Sequence, residues 1–322
     1  NESLTSGTYT PSANASYIKS SDINAALASS NVTVTTIGAG TATGNISVYD
    51  GLAWSANKLT LNASANIYIN QKMNGSGTAQ LALNYGQSTA SPTVGTYDYY
   101  VNAAINLPAG ANFSTKYGSS GTVQNYTVIT RLGQQSDINN LQTTMTLQGI
   151  NYNTTTLAGN YALGANIDAT CTGISTGACA GLFGTTTFRS STYNGFVPIG
   201  QSSVGGFTGS FDGLGHAISN LKIDASSSAT ATDVGLIGAG PVGVYTTIRN
   251  LALTNANVKK ANSGYGGILV GNFPTSSSTI IQNIYVSGNI SGNGNIGGIA
   301  GILYSNTLNN SISEATITST GT

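Results

Sequence analysis

Val234-Gly-Leu-Ile-Gly238, Gly266-Gly-Ile-Leu-Val-Gly271 and Ile296-Gly-Gly-Ile-Ala-Gly301 are three versions of one phrase, a short apolar run bracketed by glycine. A second phrase interleaves with it: Asn220-Leu-Lys-Ile223, Arg249-Asn-Leu-Ala-Leu253, Gln282-Asn-Ile-Tyr-Val286 and Leu308-Asn-Asn-Ser-Ile312. Anchored on Asn220, Asn250, Asn283 and Asn310, the steps are 30, 33 and 27 residues. Two short strands with turn residues between them, recurring about every 30 residues, are the mark of a repeat that stacks on itself.

Upstream the same grammar appears in shorter words. Val32-Thr-Val-Thr-Thr36, Lys58-Leu-Thr-Leu61, Asn66-Ile-Tyr-Ile69 and Ala79-Gln-Leu-Ala-Leu83 alternate apolar with small polar residues, the period of a strand with one buried face. Only Ser21 to Ala28 reads as a helix, with Ser20, Ser21 or Asp22 available as its cap. Helical repeats, leucine-rich horseshoes and propeller blades do not fit these words. The expected fold is all-β, a right-handed parallel β-helix with protruding loops or a small lateral subdomain. At about 25 residues per coil and ~4.8 Å per layer it would form a rod of roughly 60 Å. A pair of β-sandwiches is the competing architecture. In the β-helix, glycine fits corners, and asparagine stacks on asparagine while tolerating left-handed backbone.

Three regions are expected: residues 1–85 as regular coils, 86–160 as tyrosine-rich irregular coils or a lateral subdomain, and 161–322 as coils with a cysteine-bearing loop at 171–208. Cys171 and Cys179 predict one local disulfide in an oxidising compartment, against two free buried thiols.

Composition removes several classes of function. Ten basic and ten acidic residues in 322, with no net charge, leave no footprint for nucleic acid. No apolar run is long enough to span a membrane, and no secretion leader opens the chain, so any targeting segment is expected to lie outside it. No phosphate loop, zinc motif or nucleophile elbow is present, and no metal or cofactor is expected. His216 with Asp212 and a serine is a weak triad, read instead as a turn histidine. Asp212, Asp224, Asp233 and Asp168 are the acids a polysaccharide-cleaving enzyme would use; turn and cap roles are the simpler reading. Gly213, Gly215, His216, Gly235, Gly238, Gly298 and Gly301 are expected to be structural turn residues. Seventeen tyrosines against seven phenylalanines mark polar-tipped aromatic surface. Tyr97, Tyr99, Tyr100, Tyr117 and Tyr126 are its candidate ligand contacts.

Gly44-Asn-Ile-Ser-Val48, Leu52-Ala-Trp54, Leu59-Thr-Leu61 and Ile67-Tyr-Ile-Asn70 resemble the coils of the filamentous-haemagglutinin and high-molecular-weight adhesin family. So do Gly159-Asn-Tyr-Ala-Leu-Gly164, Gly195-Phe-Val-Pro-Ile-Gly200 and Phe207-Thr-Gly-Ser-Phe-Asp-Gly213, and Gly235-Leu-Ile-Gly238 matches its GLUG-type repeats. The resemblance implies a fragment of a bacterial surface or secreted exoprotein, exported through an outer-membrane two-partner secretion transporter and monomeric as a fragment. It implies adhesion to a host-cell surface receptor or glycan, without catalysis; a structural stalk and a β-helical polysaccharide-cleaving enzyme are the alternatives. By the same resemblance Asn62, Asn74 and Asn112 are candidates for glycosylation. A tryptophan that relatives show before Gly195-Phe196 is absent here, and the Cys171 to Cys179 insertion occupies that region.

Overall fold

Alternation decides each strand. In Lys58–Asn62, Leu59 and Leu61 are buried between outward polar neighbours, and in Ile67–Ile69 two buried isoleucines flank an outward Tyr68. The computed structural model describes residues 4–38, 44–202, 206–240, 243, 245–261, 263–274, 278–304 and 307–320. Asn1, which opens an Asn-x-Ser glycosylation sequon, and part of the 171–208 loop (203–205) therefore lie outside the described residues. The fold is all-β, with helix confined among the described residues to Ser20–Leu27, Thr154–Leu157 and four 3₁₀ turns. Contacts divide the chain into two compact units: residues 1–128 with 162–164, and 129–161 with 165–322.

In the first unit, successive passes of the chain supply parallel strands to three sheets. Val32 pairs with Leu59, Leu59 with Leu81 and Leu81 with Phe113 in one sheet. Ile46, Ile67 and Tyr99 align in the second, and Leu52, Met73 and Ile105 in the third. Each column is an unbroken line of buried apolar side chains, and each member adds roughly 1.5–3 kcal/mol by leaving water. Polar columns run beside them. Asn84 donates to Asn62 at 3.3 Å, 22 residues back, and Asn102 donates to Asn70 at 2.8 Å, 32 residues back. The longer step absorbs the loop at 87–98 without disturbing register.

Within residues 86–160, expected as tyrosine-rich irregular coils or a lateral subdomain, parallel pairing continues through Tyr117, and Gly110–Tyr117 also pairs antiparallel with Val123–Ile129. Ser20–Leu27 is the expected helix and buries Ile23 and Leu27, but Lys19 precedes it without a side-chain cap. Ser20 Oγ donates to Asp50 at 2.5 Å instead, tying the helix to the turn between Ile46–Val48 and Leu52–Trp54.

In the second unit, Phe211–Ser219, Tyr245–Lys260, Ser278–Gly292 and Ile312–Ser319 form a parallel series, with Ile218, Leu253 and Val286 in one column and Ile223, Val258, Ile290 and Ile317 in another. The glycine-bracketed phrases align as well: Val234, Gly266 and Ile296 share one row, and Ile237, Val270 and Ala300 another. Asn283 donates to Asn250 at 3.0 Å and Asn310 to Asn283 at 2.7 Å, so the steps of 33 and 27 residues are true spatial repeats. The step of 30 is not. Asn220 stacks with Asn255, while Asn250 donates to Asp212. The two corners look alike in sequence because each places a left-handed asparagine before an inward leucine: φ is +61° at Asn220 and +55° at Asn250.

Candidate functional site

Period two decides the fate of the tyrosines. Within Tyr99–Val101, Tyr99 turns inward and packs edge-on against Tyr85 with centroids 5.3 Å apart, at 2% exposure. Tyr100 turns outward and stacks on its register partner Tyr68, centroids 4.9 Å apart and planes within 10°. Tyr126 is buried against Phe113. Tyr99 and Tyr126 are thus core residues and offer no face to a ligand, contrary to the sequence expectation. Tyr117 is half-buried, tilted on Tyr85 with its hydroxyl donating to the Thr93 carbonyl, and Tyr97 is half-buried over Gly86. Tyr100 is the exposed member of the set, and Tyr68, which sequence reading passed over, is its partner. The signal was available: both sit at the middle of an apolar-Tyr-apolar word in equivalent strands.

The first unit also holds a cavity of about 570 Å³ that no motif announced. Its floor is aliphatic, with Val34, Ile46, Val48 and Leu61, and the widely exposed Tyr17 and Tyr49 stand among its lining residues. Asp50 is its one charged lining residue, already engaged by Ser20 and by the Gly51 amide.

In the second unit Cys171 and Cys179 form the expected disulfide, with Cα atoms 4.9 Å apart. The segment beyond it is not simply a projecting loop. Thr185–Phe188 and Ser191–Gly195 form a hairpin whose second strand pairs with Lys222–Ala225. A disulfide closing so short a loop stabilises by about 2 kcal/mol, chiefly by constraining the unfolded chain. Cys171→Ser with Cys179→Ser is expected to open the segment to limited proteolysis between residues 171 and 184. The melting midpoint of the second unit should fall by roughly 4–8 °C.

The acids do not converge. Asp212 is buried and accepts from the Leu214 amide and Asn250. Asp224 accepts from the Ser226 amide and hydroxyl. Asp233 accepts from Ser202, Asn272 and Thr232. Asp168 is held below the usual carboxylate range by the Thr170 hydroxyl, then by Asn220 and the Thr170 amide. Among the described residues no three His, Cys, Asp or Glu side chains gather where a metal ion could bind. His216 is buried, its Nδ1 3.2 Å from Asn166 Oδ1.

Gly215 has φ +79°, while a Cβ on Gly213, Gly235, Gly238, Gly298 or Gly301 would come within 3.0 Å of a neighbouring atom. Of the sequon asparagines, Asn62 donates to Thr35, and Asn112 donates to the Pro108 and Ala109 carbonyls. Asn74 is exposed, and among the described residues its side chain only accepts, from Asn106 at 2.7 Å.

No protein-family model matches this chain, and no solved structure matches it. The chain is 32% identical over 221 residues, 66% of its length, to Halomucin of Haloquadratum walsbyi (strain DSM 16790 / HBSQ001). It spans 2% of the length of that curated relative. The match is compatible with a cell-surface or secreted location. Among the described residues, no helix is long and apolar enough to cross a membrane.

Proposed function

We propose that this chain is a right-handed parallel β-helical segment of a cell-surface adhesin of the filamentous-haemagglutinin type, with GLUG-type repeats, that binds a surface receptor or glycan without catalysis. The observation that carries the reading is the in-register parallel pairing of equivalent positions, such as Ile46 with Ile67 and Ile67 with Tyr99. Such a stack leaves corners, loops and outward side chains as its usable surface. The outward Tyr68–Tyr100 stack supplies rigid aromatic area with hydroxyl tips, suited to sugar or polar protein faces. Each of Asp168, Asp212, Asp224 and Asp233 is engaged by neighbours within the fold, which favours binding over bond cleavage. Similarity to a protein named Halomucin favours an extracellular setting. For a sugar attached to this chain, Asn74 is the best placed of the three sequon candidates, its amide nitrogen making no hydrogen bond among the described residues.

The test is a cell-adhesion assay with a glycan array, run on the chain and on a Tyr68→Ala, Tyr100→Ala variant. Truncating the outward pair is expected to weaken binding about tenfold or more with little change in melting temperature. With so few charges, raising salt from low to high should change that binding by less than about threefold. A wild-type chain that adheres to no cell and no glycan would end the adhesin reading and leave a structural stalk.

A further inference from the structure

The hairpin of Thr185–Phe188 and Ser191–Gly195 turns through two residues, Arg189 and Ser190. Both are left-handed, with φ +48° and +68°. A two-residue turn with positive φ at both positions is the natural place for Asn-Gly, since other side chains pay steric strain there. Strain of this kind persists only where surrounding structure enforces it, and it concentrates at binding sites.

The enforcement is visible. Thr230 Oγ1 donates to the Ser190 carbonyl at 2.6 Å and lies 3.2 Å from Ser191 Oγ. The Thr192 amide donates to Ser228 Oγ at 3.1 Å. One face of the Arg189 guanidinium lies over the Phe188 ring, 4.6 Å from its centroid. Its Nη1 is buried with no hydrogen-bond partner among the described residues, and Arg189 makes no ion pair among them. A buried guanidinium nitrogen without an acceptor is costly.

Arg189 lines a cavity of about 240 Å³. The other lining groups are nearly all hydroxyls and amides: Ser190, Ser191, Tyr193, Gln201, Thr230 and Thr232. Tyr193 accepts from Gln201 at 3.0 Å, and its hydroxyl, still bearing its hydrogen, also shares a side-chain hydrogen bond with Ser191. Burial pushes the Tyr193 phenol up to about 12, so that hydrogen stays in place at physiological pH. Asp233 also lines the cavity, but its carboxylate already accepts from Ser202, Asn272 and Thr232 and attracts Lys260. The acid is answered within the fold; the arginine is not.

We propose that this cavity is a subsite for one carboxylate-bearing sugar residue, a hexuronate, with Arg189 pairing the carboxylate and the surrounding hydroxyls and amide reading the ring hydroxyls. The space matches a single pyranose rather than a longer saccharide. The planar fork of arginine fits a carboxylate through two parallel N–H donors, where lysine would offer only a point charge. The assignment rests on the adhesin reading only in that it names what such a surface would grip.

The probes are methyl β-D-glucuronide, methyl β-D-glucoside and acetate, titrated by calorimetry into the full chain. The glucuronide should bind at least about tenfold more tightly than either of the others. Equal binding of the two glycosides, no binding of the glucuronide, or acetate as tight as the glucuronide would each overturn the proposal. Arg189→Gln should weaken the glucuronide about ten- to a hundredfold. The second variant, Arg189→Asn with Ser190→Gly, gives the turn the residues it prefers. It should melt about 2 °C higher while losing the glucuronide. A double variant that melts lower, or that binds as before, would mean the arginine is structural.

Cell adhesion measured in parallel separates the two claims. Adhesion with no glucuronide binding removes this site and leaves the adhesin reading. Glucuronide binding with no adhesion does the reverse.

Discussion

Replacing Asn283 with alanine should destabilise the second unit by about 2–4 kcal/mol, while replacing it with glycine should cost about 1 kcal/mol less. Asn283 sits at the centre of a three-layer ladder, donating to Asn250 at 3.0 Å and accepting from Asn310 at 2.7 Å. Its φ is +55°. Alanine loses both amide contacts, leaves two neighbouring amides half-satisfied and forces a β-carbon into left-handed backbone. Glycine loses the same contacts but adopts the backbone freely. In an ordinary strand interior the order is reversed, because glycine there surrenders more conformational freedom than alanine. Melting midpoints of the three proteins under one buffer decide it. Alanine milder than glycine would mean that the ladder amides, and not the left-handed backbone, are all that position needs.

The ladder shows which parts of the fold could be read in advance. Asparagine before an inward leucine announces a left-handed corner, because few other side chains tolerate that conformation. Asn220 and Asn250 could be marked as corners on that ground, Asn283 likewise by the apolar Ile284 that follows it, and Asn310, before Ser311, only by its spacing. Their order in space could not. Ser219-Asn220-Leu221 and Arg249-Asn250-Leu251 obey the same local rule at different corners, and only the pairing of Asn220 with Asn255 tells them apart. Local sequence reports the kind of corner, while its identity depends on how the whole pass is threaded.

The binding surface was less legible, for two separate reasons. Tyr99 and Tyr100 are adjacent in sequence, so composition groups them, but the period of the strand sends neighbours to opposite faces. Ile67-Tyr68-Ile69 in the equivalent strand shows which of the two points outward. The cavity at Arg189 had no such signal. Arg189 comes within one small space of Thr230 and Asp233 only because the hairpin folds back on that segment, and neither residue type is unusual in a turn. Likewise the pocket beside Tyr17 and Tyr49 depends on where a loop of small polar residues lies across aliphatic side chains from four strands.

Gly238→Val is the other change with a large expected effect, above about 4 kcal/mol, enough to abolish folding of the second unit at 37 °C. Gly238 lies mid-strand in Ile237–Ala239, where the chain of one row passes directly over that of the row before. A β-carbon there would stand 2.5 Å from the Gly200 carbonyl oxygen and 3.0 Å from that of Asp233. Both obstacles are backbone, so no side chain can rotate away, and the two layers would have to separate. Separation would break the hydrogen bond from the Gly238 amide to Ile199, 2.9 Å long. It would also loosen the buried row of Ile237 and Val270. The cause is close approach and not φ, which sets this glycine apart from those at left-handed turns.

Gly51→Ala is the matching control. Its β-carbon would meet only the Lys72 carbonyl oxygen at 3.6 Å, an ordinary contact, so stability should change by no more than about 0.5 kcal/mol. Circular dichroism melts of the two variants beside the parent chain distinguish the cases. If Gly238→Val folds with an unchanged midpoint, the rows cannot be packed at backbone-to-backbone distance. The close stacking of the second unit's glycine-bracketed rows would then have to be abandoned.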